Sequence, residues 1–352
     1  MTTRTPRRGL VRTAVGCVVG ASSLALMAVP AHAVSGVTAN RLGGSDRYAT
    51  SAAIATSTFS SVPTVVVTSG DNFPDALAAS YLAGRLHAPI LTTNSDQLST
   101  STASALQTLG AKSVDLVGGT YAVAPAVQAT LQSDGYSVER IAGPTRYDTA
   151  ADIAELFPAS FVGSLTGTSG SGATAIVATG AEFPDGLSAG PLSYEGSFPL
   201  LLTEPDSLAS QAASALQSLD IKQVLLIGGT LAVSQAVQDS ITAMGITVTR
   251  VAGQDRTDTA QQVATLAIAD LGFKATTVGL ARGDVFADAL AAAGRCGFQK
   301  EPLVLTESPN SLGSYTTSFL TNNASTTASI DVFGEELAIS DATVSAAQTA
   351  AT

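Results

Sequence analysis

Arginine pairs at a fixed spacing are the residues in this sequence best suited to binding chemistry. The two members of each pair stand six positions apart, and the pairs are Arg41 and Arg47, Arg140 and Arg146, and Arg250 and Arg256. Together they hold six of the thirteen Lys and Arg residues that follow residue 33. A guanidinium group is a planar fork of donors that fits carboxylate and phosphate oxygens. We therefore expect these arginines either to bind an anionic ligand or to form structural pairs with recurrent aspartates.

An aspartate motif follows each arginine pair. Phe-Pro-Asp stands at 73–75 and at 183–185, and its third copy is Phe-Ala-Asp at 286–288. Proline suits the first turn of a helix, and an acidic side chain suits the positive end of the helix dipole. However, parallel sheets bind ligands beyond the carboxyl ends of their strands, where these motifs fall. Asp75, Asp185 and Asp288 are thus either helix caps or ligand contacts that accept sugar hydroxyls or hold a cation.

A third motif, Gly-Gly-Thr, stands at 118–120 and 228–230 and becomes Gly-Glu-Glu at 334–336. Each copy follows a short apolar run and precedes a helical pattern. Backbone N–H groups in such a turn can bind an anion. The favoured interpretation is a tight turn whose Thr caps the next helix. The two glutamates of the third copy would repel an anion.

Residues for catalysis are scarce. After residue 33 the sequence has one histidine, His87, whereas catalytic zinc sites use three protein ligands. It has no Gly-x-Ser-x-Gly nucleophile motif, and Cys296 is a lone cysteine of the kind that is usually buried. The glycine pattern at 170–175 precedes a predicted strand and does not follow one, which excludes a dinucleotide site. The sequence therefore predicts neither an enzyme nor a site for a metal or cofactor.

The three motifs recur in step and divide the chain into three units, 36–134, 135–244 and 245–352. Short β-branched strands alternate with amphipathic helices in each unit, which indicates a parallel sheet covered on both faces. The extra residues of the second unit fall in a predicted surface loop at 163–172. We predict an α/β protein of three tandem Rossmann-like modules with short parallel sheets. They are expected to pack as a pseudo-three-fold trimer within one chain, with a cleft between each pair of neighbours.

Residues 1–33 have the pattern of a secretory signal peptide. A basic start precedes an apolar run and Ala-His-Ala, so we expect cleavage after Ala33. Residues 7–11 also resemble a twin-arginine signal, and that export route stays open. Removal of the segment takes four arginines and no acidic residue, and the formal net charge moves from −11 to −15. Such an acidic chain should not bind nucleic acid non-specifically, and no later stretch predicts a membrane span.

The recurring motifs resemble those of the cell wall-binding repeat 2 family. The resemblance rests on four motifs: Arg-x-x-Gly-x-x-Arg-Tyr-x-Thr-Ala, Phe-Pro-Asp-Ala-Leu, Val-Gly-Gly-Thr, and Pro-Ile-Leu-Thr at 89–92 with its counterpart at 199–203. The resemblance covers nearly all of residues 36–352. It implies α/β modules in a triangle and non-covalent attachment to anionic secondary polymers of a Gram-positive wall. In that family the repeats usually anchor a separate effector domain, which we do not expect here. The third unit departs from the motifs at Thr257, Ala287 and 334–336.

The expected function is thus that of a secreted or wall-associated, non-catalytic protein whose partner is a wall polymer or glycan. The clefts between units are the expected sites. The predicted ligand-binding residues are Arg41, Arg47, Asp75, Arg140, Arg146, Asp185, Arg250, Arg256 and Asp288. Two alternatives remain open, an amidase-type peptidoglycan hydrolase and an extracellular protein that captures small molecules.

Overall fold

The computed structural model describes residues 1–3, 36–165 and 172–352. The predicted signal peptide beyond its third residue lies outside this part of the chain, as do residues 166–171 of the predicted surface loop. Within the described residues, no helix has the length and apolar character needed to cross a membrane.

The described residues form strands and helices in regular alternation, as the short apolar runs and amphipathic segments predict. The strands are β1 (Thr38–Leu42), β2 (Thr64–Ser69), β3 (Ile90–Thr93), β4 (Ser113–Val117), β5 (Ser137–Ile141), β6 (Thr174–Thr179), β7 (Leu200–Thr203), β8 (Gln223–Ile227), β9 (Thr247–Val251), β10 (Thr277–Arg282), β11 (Leu303–Thr306) and β12 (Ser329–Phe333). The helices are α1 (Arg47–Thr58), α2 (Pro74–Leu86), α3 (Thr100–Thr108), α4 (Pro125–Ser133), α5 (Arg146–Glu155), α6 (Pro184–Gly196), α7 (Ser210–Ser218), α8 (Gln235–Ala243), α9 (Arg256–Leu271), α10 (Ala287–Gln299), α11 (Ser314–Asn322) and α12 (Asp341–Ala350), with a short 3-10 helix at Ala159–Phe161.

Three four-stranded parallel sheets result, which confirms the predicted α/β architecture of three modules. Their strand orders are β3-β2-β4-β5, β7-β6-β8-β9 and β1-β12-β10-β11. The first strand of each sequence unit pairs with the sheet of the preceding unit: β5 with β4, β9 with β8, and β1 with β12. The N-terminal strand therefore completes the C-terminal sheet and closes the chain into a ring. The sheets are offset by one strand from the units 36–134, 135–244 and 245–352, whose boundaries stay a prediction.

Helices α2, α6 and α10 form the centre of the ring and pack against one another. Their close approach requires glycine, because a Cβ on Gly84 would lie 2.1 Å from the carbonyl oxygen of Tyr194. The residues that precede these helices, Phe73, Phe183 and Phe286, form a triangle of rings with centroids 5.6, 5.7 and 6.0 Å apart. The N-terminal ends of the three helices therefore converge, and the triangle marks the pseudo-three-fold axis.

Each module also contacts its neighbour through the helix that begins at the second arginine of a pair. Helix α1 packs against α10, α5 against α2, and α9 against α6. The three junctions are thus equivalent, and each combines a central helix of one unit with the first helix of the next.

The glycine contacts at the centre of the ring lead to a stability prediction. Gly84→Ala should lower the free energy of unfolding by about 3 kcal/mol, because the added methyl group would overlap a backbone carbonyl. Gly294→Ala in α10 is the matched control, since its nearest neighbour would lie 3.6 Å away. This control should be neutral or gain about 0.5–1 kcal/mol, as alanine is the better helix former. Urea unfolding measures both, and equal stability of the two variants would contradict the packing described.

Candidate ligand-binding clefts

The same set of residues meets at each module junction, beside the triangle of phenylalanine rings. We call the three junction sites clefts I, II and III, and the structure shows an open cavity at I and III. Cleft I contains Asp75, Gly118, Arg146 and Thr149; cleft II contains Asp185, Gly228, Arg256 and Thr259; cleft III contains Asp288, Gly334, Arg47 and Thr50. The volume is about 250 Å³ in cleft I and about 560 Å³ in cleft III. In each cleft the aspartate and the glycine come from one sequence unit, and the arginine and the threonine come from the next.

The aspartate of each cleft lies against the Gly-Gly turn of its own unit. A Cβ on Gly118 would stand 3.1 Å from Oδ2 of Asp75, and the distance is 2.7 Å for the equivalent glycine and aspartate in clefts II and III. All three glycines also have a positive φ, at 118, 112 and 108°. Glycine is therefore required both by the backbone conformation and by the carboxylate that fills the place of a side chain.

The turn also donates to the aspartate in cleft I, where the backbone N–H of Gly119 hydrogen-bonds the carboxylate of Asp75. The anion that this turn binds is thus the carboxylate of Asp75, a group of the protein itself. The interpretation of Thr120 as a helix cap is wrong, because α4 begins at Pro125 and is preceded by Ala124 at the N-cap position.

A threonine from the following unit completes each junction. Its hydroxyl accepts the N–H of the glycine six positions earlier, at 3.2 Å for Thr50 and 3.1 Å for both Thr149 and Thr259. The same hydroxyl hydrogen-bonds the aspartate of the preceding unit. These threonines were not among the predicted site residues, although their recurrence in the Arg-Tyr-x-Thr motif is a signal that could have identified them.

Burial makes each of these aspartates harder to ionise. It raises the pKa of Asp75 and of Asp185, although the facing threonine hydroxyl and the arginine of the cleft favour the charged form. Asp288 is only 9% exposed, and burial raises its pKa to about 6 despite the nearby charges of Arg47 and Arg282. Clefts I and III therefore combine a carboxylate, half-buried in cleft I and buried in cleft III, with a cation at their walls.

The second arginine of each pair lies in a cleft and keeps free donors. Nη1 of Arg47 donates to the carbonyl of Gly70 at 2.8 Å, and Arg146 and Arg256 make the same bond to Gly180 and Gly283. Within the described residues, Nε and Nη2 of these arginines have no hydrogen-bond partner. No ion pair within 4.0 Å joins them to an aspartate in this part of the chain. Arg47 and Arg146 also lie 5.9 Å from the ring centroids of Phe286 and Phe73.

The first arginine of each pair has a different environment. Nη1 of each one donates to the carbonyl of the turn glycine, and further donors reach the helix that follows the turn. The bonds join Arg41 to Gly334 and Asp341, Arg140 to Gly118 and Gln128, and Arg250 to Gly228, Val233 and Gln238. The sequence places both members of a pair in one motif, but the structure separates them: the first holds the turn and the second faces the cleft.

Candidate catalytic groups lie away from the clefts. His87 is exposed and ends α2 in the left-handed conformation at φ 50°, as Ser197 and Lys300 do after α6 and α10. A helix of this length separates His87 from the N-terminal end of α2 by roughly 18 Å. Cys296 is a buried free thiol. In the described part of the chain, no group of three or more His, Cys, Asp or Glu residues is placed to hold a metal ion.

Three parallel-sheet modules with the same aspartate, threonine and arginine at every junction define a protein of repeated α/β units. Comparison with known families agrees with this class. The cell wall binding domain 2 family matches residues 41–128, 140–238 and 250–344. The chain belongs to this family, and the three matches contain the three sets of motifs.

Similar proteins share only part of their length with this chain. It is 31% identical over 270 residues to N-acetylmuramoyl-L-alanine amidase LytC of Bacillus subtilis, an alignment that covers 77% of the chain and 50% of LytC. It is 30% identical over 272 residues to the amidase enhancer of the same bacterium, with 76% and 35% covered. The chain thus spans half or less of these curated relatives. Among solved structures, Cwp6 of Clostridium difficile has the same fold, with a TM-score of 0.76 at 22% identity over 88% of this chain and 48% of Cwp6.

The raised pKa of Asp288 predicts a pH-dependent stability. Because its pKa is higher in the folded state than in the unfolded state, Asp288 favours folding below about pH 4, and this contribution is lost as the pH rises through about 6. Asp288→Asn should therefore lose less stability than the parent between about pH 4 and pH 7, by up to about 3 kcal/mol.

Urea unfolding at several pH values measures this difference. Asp239→Asn, on the exposed surface of α8, is the control and should follow the parent. Identical pH profiles for the parent and Asp288→Asn would show that the carboxylate is not buried as described.

Proposed function

We propose that this protein binds an anionic secondary polymer of a Gram-positive cell wall, non-covalently and without catalysis, through the clefts between its repeats. Membership of the cell wall binding domain 2 family supports binding to a wall polymer or glycan. The repetition of one cleft at three junctions supports a ligand that itself repeats. An enzyme needs one site, whereas several weak sites on one polymer multiply its affinity.

The free donors of the second arginines are the observation that carries this proposal. Arg47, Arg146 and Arg256 each use Nη1 within the protein and leave Nε and Nη2 without a partner in the described residues. These two atoms form the edge of the guanidinium that binds carboxylate or phosphate in a bidentate manner. A protein of formal charge −11 repels a polyanion overall, so attraction must come from such local cations.

Neighbouring groups complete a site for a charged sugar polymer. The carboxylate of each cleft offers acceptor oxygens to sugar hydroxyls, while the buried threonine hydroxyl holds that carboxylate in place. The converging N-terminal ends of α2, α6 and α10 place three positive helix ends beside the clefts, which favours a negative ligand. The proposed location is the wall or the extracellular space, in keeping with the cell wall proteins that this chain resembles.

The alternative function is that of a hydrolase, because two relatives have the word amidase in their names. The aligned region is half of LytC and about a third of the amidase enhancer, so neither name carries over to this chain. Incubation of the purified protein with peptidoglycan, with and without added zinc, should release no new reducing or N-terminal groups. Zinc-dependent release would replace the binding proposal with a catalytic one.

Sedimentation with purified wall sacculi tests the binding proposal directly. The parent protein should sediment with intact sacculi and remain in the supernatant with sacculi from which acid has removed the secondary polymers. Equal binding to both preparations would identify peptidoglycan as the ligand, and no binding to either would refute the proposal.

The arginine donors predict how binding responds to substitution and salt. Arg47→Ala or Arg146→Ala alone should weaken sacculus binding modestly, since two clefts remain intact. The double variant loses two of three cationic sites and should bind roughly 10²-fold more weakly. Parent binding should also fall as salt rises, because screening acts on these exposed charges.

Lys112→Ala with Lys222→Ala is the charge-matched control. These exposed lysines precede β4 and β8, at the opposite ends of the strands from the clefts. The control should bind like the parent, and circular dichroism should show all variants folded. A folded arginine double variant that binds like the parent would refute the role given to the clefts.

A further inference from the structure

Three large apolar side chains project into solvent at equivalent positions beside the clefts. Tyr121 and Leu231 are 100% exposed and Leu337 is 91% exposed. Every other large hydrophobic side chain after residue 35 in the described part is less than half exposed. Each of the three follows the Gly-Gly-Thr turn, or its Gly-Glu-Glu counterpart, directly. We refer to Tyr121, Leu231 and Leu337 as the apolar tips.

The local fold holds the apolar tips outward. The residue two positions further along the chain, Val123, Val233 or Ile339, is fully buried and anchors the segment in its module. In the first two modules, N–H groups after the turn bond back to its second glycine, as Ala122 and Val123 do to the carbonyl of Gly119 at 2.9 Å. The tip lies at the outermost point of this short segment. Side chains this exposed gain no burial in the folded chain, and their recurrence at three equivalent positions points to a role outside the protein.

Two apolar tips line the clefts themselves. Tyr121 belongs to the wall of cleft I together with Asp75 and Arg146, and Leu337 belongs to the wall of cleft III together with Asp288 and Arg47. One small space therefore offers an apolar surface, a hydrogen-bonding carboxylate and a cation. A pyranose ring with an anionic substituent has the complementary set: an apolar C–H face, hydroxyls at its edge and a negative charge.

We propose that Tyr121, Leu231 and Leu337 each pack against the apolar face of a sugar ring while the adjoining cleft binds the hydroxyls and the anionic group of the same polymer. This inference rests on the proposed function and adds the residues that recognise the sugar ring apart from its charge. The tips are single side chains at three separate junctions, and two of them lie in the walls of clefts I and III. A protein partner would require a continuous interface of about 800 Å² on this chain, which isolated side chains do not provide.

Substitution of the tips provides the test, because fully exposed side chains can be changed with little effect on stability. Tyr121→Ser, Leu231→Ser and Leu337→Ser should each weaken binding to intact sacculi by roughly fivefold, the effect of losing part of one buried apolar contact. The triple variant should lose more than any single one. Leu156→Ser is the control, since Leu156 is 43% exposed, follows α5 and does not line clefts I or III.

Salt separates this contact from that of the arginines. The fold-reduction in sacculus binding caused by the tip substitutions should be the same in low and high salt, because salt does not screen an apolar contact. The factor lost in Arg47→Ala with Arg146→Ala should shrink as salt rises. Tyr121→Phe should bind like the parent, as it keeps the aromatic face.

The outcomes distinguish the two proposals. If the parent binds intact sacculi and the folded triple variant binds equally well, the tip proposal is refuted and the function stands. If the parent binds neither intact nor acid-stripped sacculi, both proposals fall. Binding to stripped sacculi that needs the tips would assign them to the peptidoglycan glycan strand. A triple variant with unchanged sacculus binding but reduced self-association in sedimentation would show that the tips contact a second copy of the chain, which also overturns the proposal.

Discussion

The structure depends on one carboxylate at each module junction, which is buried for Asp288 and half-buried for Asp75 and Asp185. Burial of a charged aspartate costs free energy unless hydrogen bonds and opposite charge surround it. Asp75 obtains these from a turn of its own unit, where Gly118 leaves room and Gly119 donates, and from Thr149 and Arg146 of the next unit. One unit alone cannot supply them all. The three recurring motifs are thus parts of a single arrangement that forms only when neighbouring units meet.

This dependence explains why the chain closes into a ring. The last aspartate, Asp288, needs a threonine and an arginine from a following unit, and it finds them in Thr50 and Arg47 at the start of the chain. β1 pairs with β12 at the same junction. The backbone groups of β12 and the carboxylate of Asp288 therefore gain their partners from the same N-terminal segment. A chain with an open end would leave one aspartate without partners.

Sequence patterns predicted the modules and the parallel sheets, because apolar strands, helix starts and glycine turns are local signals. The pairing of β1 with β12 was not predictable, since the local sequence of a strand does not specify which distant strand it pairs with, here almost 300 residues away. Arg41 and Arg47 belong to one motif, and only the fold shows that the first holds a turn while the second faces a cleft. Leu231 follows an apolar strand and a turn, and its exposure depends on the anchoring of Val233.

Because each cleft combines two units, the departures of the third unit are divided between two clefts. Thr257 stands beside Arg256 in cleft II, whereas Ala287 and Glu335 belong to cleft III. Cleft III is lined by Arg47 and Arg282 but also by four acidic residues: Asp46, Asp284, Asp288 and Glu335. Cleft I has one aspartate and one arginine. Under the proposed function we therefore expect cleft I to attract the anionic groups of the polymer more strongly, and the larger and more acidic cleft III to take a segment with more hydroxyls and less charge.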